Sequence, residues 1–422
     1  MLPLDIHEVL SLPDEARPAV LEGRWLGSDG SQAIAAARPA SVCEGTADSF
    51  NELPQWLAKH AEQFPPGAAI GYFAYELARA FERLPLQPEL GLPDFSFAYY
   101  PEIHRVLNRE GTLPRLDGSV HAEILADFEQ ARFVSDVQAI QEYIAAGDIY
   151  QANLTQQFRA KLGESFGESI YAKLAGGDAP MRAFLKSPKL TIVSDSPERF
   201  FHVSNGRILA SPIKGTMART GDASQDERLV AQLLSSRKDR AENVMIVDLL
   251  RSDLGRICRY ETIQARLWEV ETLPHLFHLV SHVEGTLRPE SGLLEILRAL
   301  FPCGSITGAP KIRAMEILSQ IEPVPRGVSM GAIGIITGAP GSADVGMDFS
   351  VAIRTLIIRE NIASLNVGCG IVYDSDPKAE YQEMLLKARP LLGALGIGLP
   401  GDSRDSRFAS RQAGKKPATI TS

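Results

Sequence analysis

Two acidic pairs have the spacing that metal chemistry needs. Asp239 and Glu242 stand three residues apart in DASQDERLVAQLLSSRKDRAENVMIVDLLRSDLGRI (222–257), as do Glu380 and Glu383 in KAEYQEMLLKARPLLGAL. Both stretches read as helix, so each pair shares one helical face. Two such faces opposed across a cleft offer hard oxygen ligands to Mg²⁺, which takes few carboxylates and keeps water and substrate in its shell. The same spacing also occurs on solvated helix surface, where acidic residues usually lie. Lys214, in SPIKGT, sits between apolar residues and a Gly-Thr turn. A desolvated Lys loses its proton more easily and becomes a nucleophile, whereas a snorkelling Lys keeps its charge in water. Arg354, in VAIRT, is a charge inside an apolar strand run and needs an anionic partner, either a structural carboxylate or one on a ligand.

The loop GSITGAPK (304–311) opens a helix with Pro310 near its first turn. Free backbone N–H groups there suit a carboxylate or phosphate, though a plain turn has the same composition. It lacks Walker A spacing, and GCGIV (368–372) is too short for a dinucleotide fingerprint. His275, His278 and His282 fall in a stretch that reads partly as strand, where their spacings do not converge on a metal.

The elements that must position these residues are mixed in order. AAIGYFAYELARAF (68–81) reads as strand into helix, 94–111 as strands about a turn, and 135–158 as helix, Gly stop, strand. Strands fill 189–216, with an Asn205-Gly206 hairpin turn. A long helical stretch over 222–257 precedes a strand at 278–285, a helix at 291–300, and the helix KIRAMEILSQI. Strands at 331–338, 348–358 and 363–373 follow, and Asp374 to Pro377 cap the last helix. Such mixing predicts an α+β fold rather than regular βαβ units. The pattern changes near 132, and the polar segment from 396 to 422 reads as a disordered tail.

Composition narrows the function. The 422 residues are 45% hydrophobic and 23% charged, as in an ordinary globular protein, with a net charge of −9. That balance gives no basic footprint for nucleic acid, so an anionic ligand requires a local positive pocket. Four scattered cysteines without CxxC spacing read as free thiols in a reducing cytoplasm. The first residues do not read as a signal peptide, and no run of about 18 apolar residues predicts a membrane span.

As an ordered set, GDIYQANLTQ, SPERF, PIKGT, KDRAENVMIVDLLRSDLG, FPCGSITGAPK, VAIRT, GCGIVYDSDPKAEYQEM and Lys387 resemble the chorismate-utilising enzymes over about residues 132–390. That group holds anthranilate synthase large subunits, aminodeoxychorismate synthase component I, isochorismate synthases and salicylate synthases. Residues 1–131 resemble its variable N-terminal region more weakly, ahead of a catalytic region at 132–395. The resemblance implies a large sandwich of antiparallel β-sheets with flanking helices and a central cleft. It implies Mg²⁺ on Glu242 and Glu383, supported by Asp239 and Glu380. Arg354 and Lys387 match groups that hold a chorismate carboxylate, helped by backbone at Ser305 and Gly368. His278 matches a histidine near the enolpyruvyl end, and Glu198 a general acid for the departing 4-hydroxyl.

Two positions separate the branches. The hydrolytic and salicylate branches carry a water-activating Lys where this chain has Gln151. Lys214 occupies the PIxGT position, Ala in anthranilate synthases and Lys in aminodeoxychorismate synthases. Ammonia is then the nucleophile. None of the contexts of Cys43, Cys258, Cys303 and Cys369 resembles a glutaminase motif, which implies a separate glutamine amidotransferase subunit. Ser329 stands where the family usually has an aromatic. Gly23 follows Leu21-Glu22 where the tryptophan-sensitive branch has Ser, which argues against a tryptophan site.

Overall fold

A computed structural model describes residues 5–89, 91–107, 122–163, 167–174, 177, 179–338 and 345–399. Two ten-stranded sheets, paired antiparallel throughout, form its centre. The first runs from Gln151–Leu162 through Ile362–Ile371, Thr355–Arg359, Thr191–Ser196 and Met181–Lys186 to Ala19–Gly23 and beyond. The second runs from Ile213–Ala218 through Leu276–Thr286, Arg207–Ala210, Arg199–Ser204, Gly346–Val351 and Ala332–Thr337 to Ala68–Phe73 and beyond.

Side-chain alternation builds the layers. In Ala332–Thr337, Ile333 and Ile335 face a core shared with Leu21, Ile70 and Ile192 between the sheets. Ala332 and Ile336 face the opposite way, into an aromatic core with Phe73 and Phe349. A strand buried on both faces needs the continuous apolar run seen in AAIGYF, where all six residues are buried. The helices that matter for the site are α1 (Gln130–Ala145), α2 (Ala223–Ser235), α3 (Arg237–Gly255), α4 (Leu293–Leu300), α5 (Lys311–Ile321) and α6 (Pro377–Ala394). Val137 and Ile140 of α1 and Met384 and Leu391 of α6 share a core with Leu154 and Phe158 of the first sheet. Ile246 and Leu250 of α3 and Ile296 and Leu297 of α4 pack with Phe201 and Val283 of the second. The result is the expected α+β sandwich of antiparallel sheets with flanking helices.

Two expectations about continuity need correction. The helical stretch 222–257 is two helices, divided at Ser236, whose hydroxyl accepts from the Asp239 N–H and caps α3. The strand expected over 348–358 is broken at 352–354, where Arg354 takes φ 48°. There the chain leaves the second sheet and enters the first. A matching crossing runs the other way between Ser196 and Arg199. The two crossings are tied together: the Val351 N–H donates to the Glu198 carbonyl at 3.0 Å, and the Asp195 N–H to the Arg354 carbonyl at 3.0 Å. The tail expected at 396–422 lies outside the described residues from 400 onward.

A buried polar knot closes the N-terminal side. Arg182 reaches Glu22 at 3.1 Å, Tyr171 donates to Glu22, and the Trp25 indole N–H donates to the carbonyls of Glu22 and Arg182.

Candidate active site

The site grows from the N-terminal turns of two helices and the paired crossings between sheets. Asp239 and Glu242 lie in the first turns of α3, and Glu380 and Glu383 in the first turns of α6, which Asp376 caps through the Ala379 N–H at 2.7 Å. Helix N-termini carry partial positive charge, which eases the gathering of four carboxylates. Three ammonium groups enter the same cluster. Lys214 Nζ lies 3.7 Å from Glu242, Lys238 3.6 Å from Glu380, and Lys387 2.9 Å from Glu383. Burial raises Glu242, a trend that Lys214 and Lys238 oppose. Burial also works on Glu383, but Lys387, aided by Lys238 and Lys214, more than offsets it and leaves that carboxyl below its usual range. Cys369 Sγ, Glu380 and Glu383 bring one ligand atom each within 4.8 Å of one another. The donors are mainly hard carboxylate oxygens that already attract cations, which suits Mg²⁺.

Glu198 sits on one crossing, 5% exposed. Burial pushes its carboxyl up to about 7, against the Ser305 hydroxyl bonded to it and the charge of Lys214. Such a group is protonated in a large fraction of molecules near neutral pH and can donate a proton. Lys214 lies within a bulge of its strand, between Ile213 and Thr216, where Gly215 at φ 86° lets the backbone pass Asp239. A Cβ on Gly215 would come within 3.1 Å of the Asp239 carboxyl carbon. On the other crossing, Arg354 is partly buried; desolvation lowers its pKa, and the charge of Asp195 opposes that.

His278 is 2% exposed, with Nδ1 2.8 Å from the Thr216 hydroxyl. Burial, with the charges of Arg354 and Arg24, pushes it down to about 4, so it is neutral at physiological pH. Its neighbour His282 pairs elsewhere, with Ser211 and Glu269. Gly368 gives its carbonyl to Lys387 at 3.2 Å, and a Cβ there would fall 2.2 Å from the Leu154 carbonyl oxygen.

Several buried polar atoms at these positions have no hydrogen-bond partner among the described residues. They are Glu198 Oε1, both amide atoms of Gln151, His278 Nε2 and Ser329 Oγ. Buried polar atoms are normally satisfied, so this group is what a polar ligand would complete. The Gln151 amide faces Gly370, whose Cβ would fall 2.6 Å from Gln151 Nε2.

Comparison with known proteins fixes the family. The profile for chorismate binding enzymes matches residues 22–393, most of the described chain. The chain is a member of that family. It is 36% identical to aminodeoxychorismate synthase component 1 of Escherichia coli over 80% of this chain and 79% of that one. It is 34% identical to anthranilate synthase component 1 of Thermus thermophilus over 82% of this chain and 81% of that one. Among solved structures, anthranilate synthase component I from Streptococcus pneumoniae matches with TM-score 0.72 and 28% identity, over 86% of this chain and 92% of that one. The chain is thus a chorismate-utilising enzyme.

Sequence reasoning brought Lys214, Glu198, Glu242, Glu383, Asp239, Glu380, Lys387, Ser305, Gly368, Arg354 and His278 forward as candidates, and the fold gathers them at the crossings and the two helix starts. It missed Lys238 and Cys369. Lys238 lies beside Asp239 in KDRAEN and could have been found as a basic residue in a helical first turn, where a cation is disfavoured. Cys369 carries no comparable signal.

Proposed function

We propose that this chain is the chorismate-aminating component of aminodeoxychorismate synthase, converting chorismate and ammonia to 4-amino-4-deoxychorismate, a precursor of para-aminobenzoate and folate. One observation carries the reading. Lys214, a candidate nucleophile, lies near enough for its charge to act on Glu198, a carboxyl that burial raises to about 7. Arg354 and Lys387 bind substrate carboxylates, helped by backbone at Ser305 and Gly368, and neutral His278 lies toward the enolpyruvyl group. Mg²⁺ on Glu242 and Glu383, with Asp239 and Glu380 in support, would supply positive charge for the ring carboxylate and fix the ring's orientation.

The Lys214 amine adds at C2, the two ring double bonds shift, and the C4–O bond breaks as Glu198 gives its proton to the departing hydroxyl, which leaves as water. Ammonia then forms the C4–N bond, the double bonds shift back, and the C2–N bond breaks to release Lys214. The proton shed by the new ammonium returns to Glu198. Gln151 offers an amide, not a base, which fits ammonia rather than water as the nucleophile. Ammonia comes from a glutamine amidotransferase subunit, in the cytoplasm.

The test is chromatographic identification of the product from chorismate, Mg²⁺ and ammonium at raised pH. Aminodeoxychorismate is expected. The near-equal identity to anthranilate synthases makes anthranilate, visible by its fluorescence, the product that would overturn the assignment.

A further inference from the structure

Lys238 is out of place by simple electrostatics. It occupies the first turn of α3, whose N-terminal end disfavours a cation, and its side chain is 60% exposed, free to extend into water. Its ammonium instead crosses to another helix and lies 3.6 Å from Glu380 Oε1. Glu380 is itself 5% exposed and accepts from the Ser375 hydroxyl at 2.9 Å, so it is fixed while Lys238 is not.

The three lysines of the cluster differ in their freedom. Lys214 is confined, with 14% of its side chain exposed. Lys387 is pinned between Glu383, the Gly368 carbonyl and Cys369 Sγ. Lys238 alone of the three has a mostly exposed side chain, and its ion pair among the described residues is with Glu380 on another helix. A divalent cation among these carboxylates would repel a neighbouring ammonium, and Lys238 is the one that can swing away at little cost in packing.

We propose that Lys238 is an internal counter-ion that holds the carboxylate cluster together without metal and is displaced when a divalent cation binds. This rests on the reading of the cluster as a Mg²⁺ site. It makes metal affinity a competition. Each metal-binding event must break the Lys238–Glu380 pair, so the lysine weakens metal binding while stabilising the metal-free protein.

The test is calorimetric titration of Mg²⁺ into the chelator-stripped chain without chorismate, for wild type, Lys238→Met and Lys238→Arg. Methionine keeps the length of the stem and removes the charge. Lys238→Met should bind Mg²⁺ about fivefold more tightly, the size of one largely exposed ion pair, and Lys238→Arg should bind like wild type. In parallel thermal melts, Lys238→Met should melt lower than wild type in chelator and show a larger Mg²⁺-induced rise. That melting difference also shows that the variant is folded. Equal or weaker Mg²⁺ binding by folded Lys238→Met overturns the proposal and leaves the metal site intact. Absence of Mg²⁺ binding in all three proteins overturns the metal site itself, and this proposal with it.

Discussion

Replacing Glu198 by Gln tests the general acid by a route that does not depend on turnover. The carboxyl is buried and rises from its ordinary 4.5 to about 7. Between those two values the folded protein binds more protons than the unfolded chain, so stability falls as pH rises. At about 1.4 kcal/mol for each pH unit separating them, keeping the ionised group buried costs about 3 kcal/mol at pH 8 and under about 1 kcal/mol at pH 5. Gln is close in shape and carries no charge. Glu198→Gln should therefore melt higher than wild type at pH 8, by about 4 °C for a chain of this size. The gain should shrink to about 1 °C at pH 5. Differential scanning calorimetry at the two values reads this directly. Equal melting differences at both pH values would show that Glu198 is ionised without penalty, and the acid role would fall with it. In the same variant, turnover should drop by at least about a hundredfold. At a fixed concentration of free ammonia, wild-type turnover should decline as pH rises through about 7, where the proton is lost.

Three further predictions address the rest of the site. Lys214→Ala should lower aminodeoxychorismate formation by about 10²–10⁴, with residual amination moving to C2 as aminodeoxyisochorismate or anthranilate; wild-type rates would refute the nucleophile. Activity should vanish in chelator and return with Mg²⁺, and Glu242→Ala should be far more damaging than Asp239→Asn in steady-state assays; full activity in metal-free buffer would contradict this. Tryptophan should leave initial rates unchanged, because the Glu22 carboxylate is already engaged by Arg182 and Tyr171 and the Trp25 indole is packed beside it; micromolar inhibition would show that another pocket serves.

The elements were legible wherever local chemistry decides them. Asn205 and Gly206 both take positive φ, 51° and 70°, as a two-residue hairpin turn requires. Asp376 and Pro377 start α6 as cap and first residue. The division of 222–257 was missed because no Gly or Pro marks it, although Ser236 and Asp239 carry the Ser-x-x-Asp spacing of a helix start. The break before Thr355 was not readable at all. Ala352 and Ile353 are apolar, and a left-handed Arg354 is imposed by the meeting of two sheets rather than by its own preference. The candidate site residues came from the family pattern, and the fold brings them together. Their pairing was not legible, because the contacts of Glu198 with Ser305 and of Lys238 with Glu380 join segments more than a hundred residues apart in sequence.

Sheet order has a consequence for how the chain is made. Ala68–Phe73 lies between Phe95–Tyr100, which follows soon after it, and Ala332–Thr337. Ala19–Gly23 likewise waits for Met181–Lys186. At ribosomal speeds of roughly 5–20 residues per second, the edge of Ala68–Phe73 stays without its second neighbour for tens of seconds. During that time an apolar strand that will be covered on both faces is open to other nascent chains. Yield of folded protein should therefore respond to translation rate, growth temperature and holdase chaperones more strongly than stability of the finished molecule would suggest.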